Sequence, residues 1–166
     1  MRIALIGFMG AGKTALGRKL AQKYGLDFID TDAEIVRDTG RSLDELFKES
    51  EKKFREKELE KLAEVSRRDN AVLSTGGGTM QTDGSLKYLK DWTVVYLSLP
   101  IDTAYNRSVG VKTFMRQYDG FKELCEQRAP LFERICDFEI YTGDEEEDSF
   151  ERLCRLTEIE IRKKRG

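Results

Sequence analysis

The sequence predicts a single α/β domain in which helices connect the strands of a parallel sheet. Three observations carry this expectation. Short apolar runs alternate with helical patterns, a glycine-rich loop joins the first run to the first helix, and no repeat or linker divides the 166 residues.

Residues 2–6 (Arg-Ile-Ala-Leu-Ile) read as a buried strand, and residues 15–21 have helical spacing with Leu16 and Leu20 on one face. Between them lies Gly7-Phe8-Met9-Gly10-Ala11-Gly12-Lys13-Thr14, a G-x-x-x-x-G-K-T pattern. Strand, glycine loop and helix form the context in which backbone N–H groups wrap onto phosphate oxygens, a lysine reaches the β/γ-phosphates and a hydroxyl holds Mg²⁺. A plain glycine turn is the alternative, and the flanking strand and helix weigh against it. Gly10, Ala11, Gly12, Lys13, Thr14 and Ala15 are therefore the candidate nucleotide contacts.

Phe28 and Ile29 suit a second strand, with Asp30 and Asp32 at its carboxyl end, where ligands of an open parallel sheet collect. The two acids point the same way if the backbone is still extended and diverge if a turn has begun. In the plainer reading Asp32 caps a helix that starts at Ala33. Residues 31–66 are helical in pattern with one break, Gly40-Arg41-Ser42, after which Ser42 and Glu45 fit a capping box. A long charged helix is expected from Phe54 onward; Arg55 taken alone reads as part of a solvated face.

Residues 71–75 form the next strand, followed by Gly76-Gly77-Gly78, which permits close backbone approach at the sheet edge that Lys13 occupies, or simply a tight turn. Residues 91–99 are the clearest strand, stopped by Pro100, and Ile101 to Arg107 starts a helix. Residues 108–122 have weak periodicity, glycines near both ends and the cations Lys112 and Arg116; they read as a mobile loop over a phosphate site or as an ordinary connection. A helix resumes at Glu123 and runs through Pro130, residues 136–141 alternate like an edge strand, and residues 149–165 form a terminal helix with Phe150, Leu153, Leu156, Ile159 and Ile161 toward the core.

Composition narrows the chemistry. With 29 basic and 31 acidic residues the net charge is −2, which gives no global attraction to nucleic acid. No run is long and apolar enough to span a membrane, and no secretory signal precedes the loop. Cys125, Cys136 and Cys154 lack metal-ligand spacing and read as reduced thiols, so a cytoplasmic location is expected. The absence of histidine excludes His-based triads and His-ligated metals, leaving a carboxylate or a lysine as proton acceptor.

Taken together, these motifs resemble the shikimate kinase family, a nucleoside-monophosphate-kinase-like branch of P-loop folds. Beside the loop itself, Phe28-Ile29-Asp30-Thr31-Asp32 is similar to the family's F-x-D-x-D motif. Gly40-Arg41-Ser42, Phe47 and Phe54 to Glu58 resemble its substrate-binding region, Ser74 to Gly78 its glycine triplet, and Arg128-Ala129-Pro130-Leu131-Phe132 its R-A-P-L-Y stretch. The resemblance implies a three-layer P-loop kinase fold with a central parallel five-stranded sheet, a helical substrate-binding region over about residues 31–62 and a mobile lid over about 108–122.

It also implies roles. ATP and shikimate would be the substrates, with Mg²⁺ on Thr14 and Asp30 in the ion's outer shell. Arg55 and Arg128 would clamp the shikimate carboxylate, and Asp32 would orient, or take the proton from, the 3-hydroxyl. Gly76, Gly77 and Gly78 would make backbone contacts, Phe47 and Phe54 would pack near the ring, and Arg107 would lie against adenine. The lid departs from the family's R-P-L-L: Arg116 is the candidate γ-phosphate cation and Lys112 the reserve, while Ser50-Glu51 stands where G-E is common. The expected reaction is in-line transfer from ATP by a monomer with no nucleic-acid or membrane partner. A kinase for another hydroxylated acid such as gluconate, or for a nucleotide, is the enzymatic alternative. A non-catalytic nucleotide-binding regulator is the other.

Overall fold

The computed structural model describes residues 1–109, 118–143 and 145–165. A five-stranded parallel sheet runs in the order β2-β3-β1-β4-β5, from β1 (Arg2–Ile6), β2 (Asp27–Asp30), β3 (Ala71–Ser74), β4 (Thr93–Ser98) and β5 (Phe138–Tyr141). Its central strands are buried on both faces, as their unbroken apolar runs require: Ile3, Leu5, Val72, Leu73, Val95 and Leu97 are fully buried. The chain moves outward from β1 on one side, returns through β3, and continues on the other side with β4. The carboxyl end of β1 is thus the switch point of the sheet, and the glycine loop begins there.

Helix α1 (Lys13–Tyr24) follows that loop, and α2 (Thr31–Thr39), α3 (Leu43–Glu49) and α4 (Glu51–Val65) lie between β2 and β3. The expected single break in residues 31–66 is corrected to two. Besides Gly40 to Ser42, Ser50 interrupts the pattern, because its hydroxyl accepts from Lys53 N and caps α4, which starts at Glu51 rather than Phe54. The Ser42–Glu45 capping box is present. Ile35, Leu46 and Phe54 form a small core of their own beneath these three helices, separate from the main one. The ammonium of Lys61 on α4 reaches Asp38 on α2 at 2.5 Å, fastening the layer from the other side.

A 3-10 turn (Thr79–Gln81) follows the glycine triplet, and α5 (Ile101–Ser108), α6 (Tyr118–Ile135) and α7 (Glu146–Arg165) complete the chain. Helix α6 already includes Tyr118, ahead of the expected Glu123; residues 118–122, expected within the lid, belong to it, with Phe121 buried against Tyr105 of α5. Lys112 and Arg116 lie outside the described residues. Helix α7 starts at Glu146, and the expectation for Ile159 fails, since that side chain is half exposed while Leu153, Cys154 and Thr157 face the core. No helix among the described residues is long and apolar enough to cross a membrane.

Candidate active site

The phosphate loop wraps the N-terminus of α1. Gly12 caps this helix with φ 84°, no side chain satisfies the first N–H groups, and the first turn carries no acid. N–H donors at the positive end of a helix whose first turn carries no carboxylate suit an anion. The Lys13 ammonium is buried and donates to the carbonyls of Gly7 at 2.9 Å and Phe8 at 2.8 Å. Its stem is thereby laid along the loop.

Beside it, Thr14 Oγ1 donates to Asp30 Oδ2 at 2.6 Å. The structure corrects the capping expectation: Asp30, not Asp32, caps α2, its Oδ1 accepting from Asp32 N at 3.1 Å and Ala33 N at 3.2 Å. The helix has begun at Thr31, so the two acids diverge. Asp30 faces the hydroxyl of Thr14, while Asp32 turns toward Gly76. This division suits two tasks. A hydroxyl and one carboxylate oxygen are hard donors, too few to hold a cation alone but enough for an Mg²⁺ that arrives on nucleotide phosphates and keeps its waters. Among the described residues no group of three or more acids or thiols is placed to hold a metal by itself.

A cavity of about 870 Å³ extends from Lys13 and Thr14 past Asp32 to Arg55, Gly78 and Arg128. Arg128 lies on the buried face of α6 with Phe121, Cys125 and Phe132. Phe132 is fully buried against Phe8 and Tyr96, which locks the helix to β4 and to the loop. Arg55 stands over the rings of Phe47 and Phe54, 5.5 and 5.4 Å from their centroids. The solvated-face reading of Arg55 is therefore corrected: its side chain is only 23% exposed and is ion-paired. Phe54 lines the main cavity, whereas Phe47 lines an adjoining hollow that shares Arg55 and Arg128.

The two guanidinium groups meet at Gly78. A Cβ there would lie 2.5 Å from Arg55 Nη1 and 2.9 Å from Arg128 Nη2, so only glycine leaves them room. Gly77 lines the cavity, and Gly76 sits deeper, where a Cβ would be 2.7 Å from Asp32 Oδ1. Burial, and then the charge of Arg55, push Arg128 down to about 10, which still leaves it protonated at neutral pH.

Glu58, named in the sequence only as the end of the Phe54 to Glu58 segment, has a place of its own in the site. Its carboxylate is buried, accepts from Arg55 Nη1 at 2.6 Å and from Thr79 Oγ1 at 2.8 Å, and approaches Asp32 across Gly76. Burial raises its pKa above the ordinary value despite Arg55. The signal was available: Glu58 stands three residues after Arg55, on the same helix face. Arg107 is exposed and donates to the carbonyl of Thr142 at 2.9 Å, on the border between the main cavity and a second hollow that touches Gly10, Ala11 and Gly12.

A phosphate loop that opens into the same cavity as paired arginines is the arrangement of a kinase for a small anion, which makes the class a P-loop small-molecule kinase. The family model described as shikimate kinase matches residues 9–158, and the chain belongs to that family. A shikimate kinase from Caldicellulosiruptor bescii is 37% identical over 147 residues, 84% of this chain and 85% of the relative. One from Shewanella frigidimarina is 39% identical over 86% of this chain and 88% of its own length. Among solved structures, the shikimate kinase from Acinetobacter baumannii in complex with shikimate superposes with a TM-score of 0.87 at 32% identity, covering 94% of this chain and 92% of that one. A deoxyadenosine kinase from M. mycoides, at 14% identity and a TM-score of 0.62 over 95% of this chain, shares the fold alone.

Proposed function

We propose that the chain works as its family does: it is a small-molecule kinase that phosphorylates shikimate in aromatic biosynthesis, moving the γ-phosphoryl group of ATP to the 3-hydroxyl. The observation that supports this most strongly is the meeting of Arg55 and Arg128 at Gly78, in one cavity with Lys13 and Asp32. Shikimate carries a carboxylate at one end of its ring and hydroxyls at the other. Two planar guanidinium groups suit the first, and an acceptor carboxylate suits the second.

In this reading the N–H groups of residues 10–15 and Lys13 hold the β- and γ-phosphates. Thr14 would ligate the Mg²⁺ and Asp30 would hold it from its outer shell. When bound, the ion neutralises charge on the phosphates. Asp32 orients the 3-hydroxyl in line with the γ-phosphorus and takes its proton as the new bond forms. No covalent intermediate is required, because positioning and charge stabilisation account for the transfer. Arg107 lies beside the adenine. A cation from the lid, Arg116 or in its place Lys112, is assigned to the γ-phosphate from the sequence alone. Helices α2–α4 form the acceptor-binding region, and the chain acts as a cytoplasmic monomer.

Turnover of Mg-ATP in the presence of shikimate, gluconate or a nucleoside monophosphate tests the reading. Stimulation by shikimate alone is expected. Stimulation by another acceptor and not by shikimate would overturn it.

A further inference from the structure

Arg128 is 6% exposed, and among the described residues no carboxylate lies within ion-pair distance of it. Its hydrogen-bond partner is a neutral one: Nε donates to Gln81 Oε1 at 2.6 Å. Because a guanidinium only donates, the amide of Gln81 must present its oxygen, which fixes the orientation of that side chain as well. The remaining nitrogens face the glycine turn. A Cβ on Gly77 would lie 3.8 Å from Nη1, and one on Gly78 would lie 2.9 Å from Nη2. The group is thus held by one edge and offers the other to the cavity.

We propose that Gln81 is a positioning residue for the acceptor: it fixes the plane of the Arg128 guanidinium so that both terminal nitrogens face the substrate carboxylate. This rests on the reading of Arg128 as part of the carboxylate clamp. Neutrality matters to the argument. An acid at position 81 would orient Arg128 equally well but would supply a permanent counterion that competes with the substrate. A neutral amide satisfies one donor and leaves the charge available. The same 3-10 turn braces the other arm, since Thr79 holds Glu58 and Glu58 holds Arg55. One three-residue turn therefore sets both guanidinium groups. Gln81 itself is exposed beside the hollow it shares with Arg55 and Arg128, so replacing it leaves the core intact.

The test compares wild type, Gln81→Met and Arg128→Ala with shikimate and with its methyl ester, which has the same ring and no carboxylate charge. Gln81→Met is expected to raise KM for shikimate about ten- to a hundred-fold, the loss of one hydrogen bond to a charged group, with KM for ATP changed by less than about twofold. With the methyl ester the same substitution is expected to change KM by less than about twofold. If Arg128→Ala raises KM for shikimate and Gln81→Met does not, the role of Gln81 is overturned while the clamp stands. If Arg128→Ala itself leaves KM for shikimate unchanged, the clamp reading fails and this inference with it. Equal losses with acid and ester would make Gln81 merely structural and would also overturn the proposal.

Discussion

Arg55 Nη1 donates to Glu58 Oε2 at 2.6 Å in a pair whose acid is almost wholly buried and whose base is not, the side chains being 2% and 23% exposed. The asymmetry decides what each partner contributes. Glu58 loses hydration it cannot fully recover, whereas Arg55 keeps one side in the cavity. Burial raises the Glu58 carboxyl above its usual 4.5, against the opposing pull of Arg55 and Thr79. The pair aims Arg55 at Gly78 at some expense of stability.

That imbalance makes a signed prediction. The folded protein holds the Glu58 proton to higher pH than the unfolded chain does, so the penalty for ionising it is absent below about 4.5 and complete above the raised folded value. Glu58→Gln is therefore expected to be at least as stable as wild type at neutral pH. The wild type should gain on the variant as pH falls through that window. Activity moves the other way, with KM for shikimate rising about tenfold as Arg55 loses its anchor. Denaturant unfolding at several pH values, beside steady-state kinetics, checks both signs.

Asp32→Asn is expected to abolish phosphoryl transfer while leaving ATP affinity within about twofold, because Asp32 turns toward Gly76 and the acceptor end rather than toward Thr14. Calorimetric titration with ATP analogues, next to turnover, separates the two effects. Equal loss of both would make Asp32 structural.

Asp30→Ala removes two hydrogen bonds that cap α2 and the partner of Thr14. A loss of about 1 kcal/mol in stability is expected from the cap, together with a higher Mg²⁺ requirement for turnover. Thermal unfolding and an Mg²⁺ titration measure these separately.

Gly78→Ala places a methyl group against the far ends of Arg55 and Arg128, which are flexible enough to move aside. Folding should survive and KM for shikimate should rise by more than about tenfold, with KM for ATP little changed. Kinetics with each substrate varied in turn gives the split.

Much of the fold was legible because local signals were unopposed. Residues 2–6 have no polar residue after Arg2, the loop has a narrow pattern, and Ser42 and Glu45 form the cap their spacing predicts. The misses arose where a weak local signal met a tertiary decision. Ser50 breaks a helical pattern only because its hydroxyl finds Lys53 N, and Tyr118 joins α6 because Tyr105 packs against its ring. Spacing alone left open whether Asp30 and Asp32 point together or apart, and the start of α2 at Thr31 decides it. Arg55 and Arg128 stand out by motif, but the side chains that hold them do not. Glu58 sits in a run of alternating charges, and Gln81 is an ordinary polar residue whose role depends on a contact 47 positions away.

The position of the phosphate on the product is the most direct test of how this cavity orients shikimate. Wild-type protein, Mg-ATP and shikimate are incubated, and phosphorus–proton correlation spectra locate the new ester. With the carboxylate held at Gly78 and Asp32 beside the acceptor, a single product phosphorylated on the 3-hydroxyl is expected. A phosphate on another ring hydroxyl, or no shikimate-dependent ester at all, would contradict it.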